Sequence, residues 1–192
     1  MLNFSNKSIG SMSNSLISKV IGTFAYLSIR NRADLSTFYT CSFEGYQDTL
    51  YTHSMRQFYR KFDIYRTIDV ILGNTTIVFQ NCNLYPCLPN TRQFNAIFAQ
   101  GRTNPNQSTE TSIHNSTIMV ADDLAPNITT VKTSLGSLWK EYSRTIYIQC
   151  FMDSLKFSVM TRKEAKTSLT QDLQRTPITT VYCVNFISKN QG

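Results

Sequence analysis

Two periodicities divide the chain. From Met12 to Phe24 the apolar residues fall at 12, 16, 17, 20, 21 and 24, with Ser13, Asn14, Ser15, Ser18, Lys19 and Thr23 between them. That spacing predicts an amphipathic helix, which could pack on the domain, lie at a membrane interface or serve as a cleavable presequence. Leu50, Tyr51, Ser54, Met55, Phe58, Tyr59 and Phe62 repeat in the same manner behind Asp48, a suitable N-cap, and predict a second helix. Beyond it the pattern changes to period two. Ile64, Ile68, Val70 and Leu72 alternate, Gly73-Asn74 offers a two-residue type II′ turn, and Ile77 and Phe79 resume on a returning strand, so a hairpin is expected over 64–80.

Further strands are expected at 37–43, 92–99, 116–121, 144–152, 156–161 and 179–188, with Asp153-Ser154 turning one pair. Short helices are expected around 135–142 and 162–173, and the polar stretch from Gly101 to Ser112, with Pro105, reads as a long exposed loop. Together these elements predict an α+β fold, an antiparallel β-sandwich core with a few short peripheral helices. Residues 1–33 read as an N-terminal amphipathic or flexible segment and 34–192 as a single β-rich domain. No internal repeat is apparent.

Composition narrows the class. With 192 residues, 41% hydrophobic and 16% charged, the chain can bury a sizeable core and is not a disordered tail. The uncharged run from Val70 to Thr91 is broken by glycine, asparagine and proline, so it is no spanning helix. Five cysteines, Cys41, Cys82, Cys87, Cys150 and Cys183, read as reduced and mostly buried. Six glycosylation sequons, at Asn3, Asn6, Asn74, Asn106, Asn115 and Asn127, stand against the lack of a signal peptide, which favours a cytosolic setting.

The net charge of +7 gathers in patches. Lys19, then Arg56, Arg60 and Lys61, then Lys156, Arg162, Lys163 and Lys166 are candidate contacts to an anionic membrane surface or to nucleoprotein. For Arg56, Arg60 and Lys61 the plainer explanation is the C-terminus of the second helix, where cations are favoured.

Catalytic chemistry is not evident. His53 and His114 stand in no nucleophile signature, the seven glycines are scattered rather than clustered for phosphate, and Asp122-Asp123 reads as a turn. Cys82 and Cys87 lack a second ligand pair for zinc. No catalytic residue, cofactor or metal is therefore expected, and the chain reads as non-enzymatic.

Tyr85-Pro86-Cys87-Leu88 resembles the Tyr-Pro-x-Leu late-budding motif, with Tyr85, Pro86 and Leu88 as the contact residues; the plainer alternative is that Tyr85 and Leu88 plug the sandwich edge. With that motif, its size and its basicity, the chain is similar to small matrix-type structural proteins of negative-strand RNA viruses. The resemblance implies a virion protein bridging ribonucleoprotein and the inner membrane face. It also implies self-association into a homo-oligomer and recruitment of a host ESCRT-associated adaptor. A jelly-roll coat protein and an organelle-imported accessory subunit are the alternatives, with a hydrolytic enzyme last.

Overall fold

A computed structural model describes residues 2–4, 19–21, 29–45, 50–67, 71–152, 157–159 and 180–184. Alternation of apolar and polar residues makes the strands, and strand by strand it sets which residues turn inward. Ile29–Asn31, Leu50–Thr52 and Ile71–Gly73 each bury their first and third residues and leave the middle one partly exposed. They stack in register, Ile29 beside Leu50 and Leu50 beside Ile71, so one coil of chain takes 21 residues to return to the same sheet.

Three sheets result. The first holds Leu2–Phe4, Ile29–Asn31, Leu50–Thr52, Ile71–Gly73, Phe98–Gln100 and Thr133–Leu138, the last also paired with Asn95–Ala96 and Phe157–Val159. The second runs Ser36–Tyr39, Arg56–Arg60, Thr76–Gln80, Glu110–His114, Arg144–Ile148 and Thr180–Val184. The third runs Lys19–Ile21, Ser42–Glu44, Asp63–Arg66, Asn83–Pro86, Thr117–Ile118 and Phe151–Met152. Every strand pairing among the described residues is parallel. The chain visits the first, second and third sheets in turn and climbs one step per circuit, which is a parallel β-helix.

The core fills the space between the three sheets in columns. Tyr59 lies between Phe38 and Phe79, with ring centroids 4.9 Å away on either side, and Ile113 and Tyr147 continue the column. Each fully buried ring of this kind stabilises the fold by about 1.5–3 kcal/mol through burial alone. Among the described residues the corner from second to third sheet is the same in five coils. Thr40, Lys61, Asn81, Asn115 and Gln149 all take a left-handed conformation, with φ between 47° and 54°. The N–H of each of the first four donates to a carbonyl one coil further on, at Arg60, Gln80, His114 and Ile148. Asn115 Nδ2 also donates to Asn81 Oδ1 at 2.9 Å.

The antiparallel sandwich is therefore wrong in its pairing. Gly73-Asn74 does not turn a hairpin: Ile71–Gly73 and Thr76–Gln80 belong to different sheets, and the chain bends a corner between them. The helix expected over 50–62 is two strands joined by a corner at His53–Met55, and that around 135–142 is largely the strand Thr133–Leu138. Among the described residues one 3-10 turn, Ala125–Asn127, is the sole helical element. Of the helix expected over 12–24, Lys19–Ile21 is a strand. Its other residues, the helix at 162–173 and the Asp153-Ser154 turn lie outside the described residues. The loop after Gly101 is present up to residue 109, before the strand Glu110–His114 begins. The missed repeat is real in space, but its length varies: Thr76 pairs with Arg56 on one side and with Glu110 on the other, so no fixed period marks the sequence.

Candidate functional site

The outward face of the first sheet carries one row of register partners, Arg30, Tyr51, Leu72 and Ala99. Alternation places them there, since their strand neighbours Ile29, Leu50, Ile71 and Phe98 are core residues. The Arg30 guanidinium stands 5.3 Å from the Tyr51 ring centroid. Tyr51 meets His53 edge to face at 5.1 Å and Trp139 at 6.5 Å, and the indole is 42% exposed. Lys140 Nζ lies 5.8 Å from the same indole. The group is thus an open aromatic surface flanked by cations, a chemistry suited to apolar sugar faces and to anions.

A buried polar layer holds the corner beneath it. Asn31 Nδ2 donates to Ser36 Oγ at 2.7 Å and to Tyr59 Oη at 3.2 Å, and Tyr59 Oη donates to Gln57 Oε1 at 3.0 Å. Gln57 Nε2 in turn donates to the carbonyls of Asn31 and Ser54. Burial pushes the Tyr59 phenol well above its ordinary range, so it remains a neutral donor. Satisfied networks of this kind fix geometry because any member left alone is costly to bury. His53 is held below the ordinary histidine range, first by desolvation and then by Arg30 and Arg32, which keeps it neutral near pH 7.

Of the expected contact residues the structure describes the side chains of Arg56, Arg60 and Lys61. Arg56 and Arg60 open and close one strand of the second sheet, and Arg56 is already engaged: its N–H and Nε donate to Asp34 Oδ1, each at 3.0 Å, and Nη2 to Oδ2. Asp34 is correspondingly held down to about 2. Lys61 reaches over the Tyr39 ring at 5.8 Å. Lys19 lies in the strand Lys19–Ile21, while Lys156, Arg162, Lys163 and Lys166 lie outside the described residues. The helix-terminus explanation for Arg56, Arg60 and Lys61 falls with the helix.

Tyr85 and Pro86 sit in the strand Asn83–Pro86, where Tyr85 stacks on Tyr65 at 4.3 Å, Pro86 is buried, and Leu88 beyond is 37% exposed. Tyr85 therefore packs on a sheet face rather than extending as a free peptide. Among the described residues no three His, Cys, Asp or Glu side chains group to hold a metal.

Sequence reasoning missed one pattern. Asp48-Thr49-Leu50-Tyr51-Thr52 and Asp69-Val70-Ile71-Leu72-Gly73 each place an aspartate two residues before a strand of the first sheet. Leu50 and Ile71 are register partners, and the aspartates share their spacing. Neither aspartate lies among the described residues. The signal was the repeat of Asp-x-(Leu/Ile) at one coil's length, which the helical reading of Asp48 as a cap concealed.

Comparison with known proteins resolves the class. Residues 22–164 match the pectinesterase family model. The chain is 63% identical over 129 residues to "Probable pectinesterase/pectinesterase inhibitor 41" of Arabidopsis thaliana, covering 67% of this chain and 22% of that protein. It is 57% identical over 129 residues to "Pectinesterase 2" of Citrus sinensis, covering 67% of this chain and 25% of that one. The chain thus spans about a quarter or less of the length of these relatives. A pectin methylesterase from carrot superposes with a TM-score of 0.69 at 35% identity, over 83% of this chain and 48% of that one.

These matches overturn the viral matrix reading and, with it, the non-enzymatic, virion, membrane, nucleoprotein and ESCRT-adaptor assignments. The coat-protein and imported-subunit alternatives fall too. Among the described residues no helix is long and apolar enough to cross a membrane. With a parallel β-helix over most of its length and a family match across residues 22–164, the chain belongs to the pectinesterase family.

Proposed function

We propose that the chain forms coils of a carboxylic-ester hydrolase that removes methyl groups from methyl-esterified pectin, releasing methanol and leaving a carboxylate on the polymer. The observation carrying this reading is the outward row of the first sheet, where Tyr51 stands between Arg30 and Trp139, and where Tyr51 and Leu72 each follow an aspartate, Asp48 and Asp69, by three residues. A sugar ring presents C–H faces to Tyr51 and Trp139, while Arg30 and Lys140 attract the uronate carboxylates already freed.

Ester hydrolysis needs one group to attack or to activate water and another to protonate oxygen as charge develops. Two carboxyl groups of unlike protonation suffice, as in other hydrolases that divide the work between acids. Asp48 and Asp69, one coil apart in sequence, are the pair assigned here. His53, neutral and among the aromatics, contributes shape and a hydrogen bond to Ser54 rather than charge.

The test is acid release from methyl-esterified pectin at constant pH. Asp48→Asn and Asp69→Asn should each lower kcat by about 100-fold or more with KM nearly unchanged, the signature of interactions made only in the transition state. Absence of acid release by the folded chain, or full activity in both variants, would exclude the assignment.

A further inference from the structure

Trp139 is the single tryptophan of the chain, and what seats it is an absence. A Cβ placed on Gly101 would stand 2.9 Å from Cε3 and 3.1 Å from Cζ3 of the indole, and 3.4 Å from the Gly73 carbonyl oxygen. The Gly101 N–H donates to that same carbonyl at 2.7 Å. The edge of the indole therefore rests against bare backbone at the start of the 101–109 loop, a place no other residue type leaves open. Gly101 takes no left-handed φ, so backbone conformation does not require glycine there.

We infer that Gly101 is a positioning residue: its missing side chain is the seat that holds the Trp139 indole beside Tyr51 and so sets the width of the sugar-binding surface. This rests on the proposed role of Trp139 as a sugar platform. The two glycines of the seat differ. At Gly73 a Cβ would meet the fixed Thr52 carbonyl, whereas at Gly101 it meets a half-exposed ring that can swing away. Gly101→Ala should thus displace the ring and spare the fold.

The lone indole makes the test direct. In Gly101→Ala, far-UV circular dichroism and the thermal midpoint should match wild type, while tryptophan emission shifts to the red as the ring enters water. KM for methyl-esterified pectin should rise by about fivefold or more with kcat within about twofold, since a binding contact and not a chemical one is lost. Binding of methyl-esterified oligogalacturonides, followed by calorimetry, should weaken equally in Gly101→Ala and Trp139→Ala.

Unchanged emission, or unchanged binding in Gly101→Ala while Trp139→Ala weakens it, overturns the inference and leaves the platform standing. Unchanged binding in both variants overturns the platform itself, and the inference with it. Should Gly101→Ala fail to fold, the double variant Gly101→Ala/Trp139→Ala decides: recovery of the fold supports the steric seat, and failure shows Gly101 to be structural.

Discussion

The backbone carbonyl oxygen of Thr52 lies 1.7 Å from where a Cβ of residue 73 would stand, and Thr52 Oγ1 lies 2.5 Å from the same point. Adjacent coils approach so closely at this corner that only hydrogen fits on Gly73. Its φ of 151° lies in a region that side chains avoid as well. Gly73→Ala is therefore expected to cost about 3 kcal/mol or more, combining backbone strain with a coil forced apart. Urea denaturation would show it as a lowered midpoint, and an unshifted midpoint would mean that the corner relaxes freely.

Asp34 and Arg56 carry a second prediction. The Asp34 carboxyl is held at about 2, first by its hydrogen bonds with the Arg56 side chain and backbone, against an ordinary value of 3.8. A carboxyl depressed on folding contributes stability that is complete above its unfolded pKa and is lost as pH falls through the folded value. Asp34→Asn should thus remove the part of the stability decline that wild type shows between about pH 4 and pH 2, an effect kept small by solvent screening at this exposed pair. Urea midpoints across that range check it; identical slopes in both proteins would show that the pair contributes nothing.

The thiols give a third. Asp63, Asn83, Thr117 and Phe151 donate to the carbonyls of Cys41, Phe62, Cys82 and Ser116, so these four residues occupy one position in successive coils. Cys150, whose thiol donates to the Ile113 carbonyl, comes one coil-length after Ser116 and directly precedes Phe151, the register partner of Thr117. Two ladder steps separate Cys82 from Cys150, about 9.5 Å, beyond the reach of a disulfide. Burial also pushes the Cys82 thiol up to about 12. Cys82 and Cys150 should resist alkylation at pH 8 in the folded protein and react fully once it is denatured, as peptide mass analysis would reveal. Rapid labelling of the native chain at Cys82 would contradict this packing.

Period two was legible and correctly announced strands at Ile77 and Phe79, and at Thr180–Val184 within 179–188, whereas 144–152 is two strands, Arg144–Ile148 and Phe151–Met152, parted by the corner at Gln149. Which strands pair was not, because alternation records only which side is buried, whereas parallel pairing is set by returns of twenty residues or more. The error at 50–62 has a specific cause. Leu50 and Thr52 point inward on one strand, the corner at His53–Met55 resets the phase, and Gln57 and Tyr59 point inward on the next. Two period-two segments offset by a three-residue bend imitate a helical repeat. Met55, read as part of an apolar helix face, is 57% exposed at that bend with φ of 72°. Of the site, Arg30 and Tyr51 carry no local mark of function, since only the coil brings Trp139 to them, and Asp48 looked like a cap because the helix was already assumed.

The left-handed corner shared by Thr40, Lys61, Asn81, Asn115 and Gln149 keeps one edge of the coil at constant length while the others vary freely. Insertions can then accumulate on the remaining edges, as the 101–109 loop shows, without shifting the register of any strand. Such an architecture separates what must be copied from coil to coil from what can be rewritten, so that new recognition surfaces can arise by lengthening a bend while the stack that supports them stays in step.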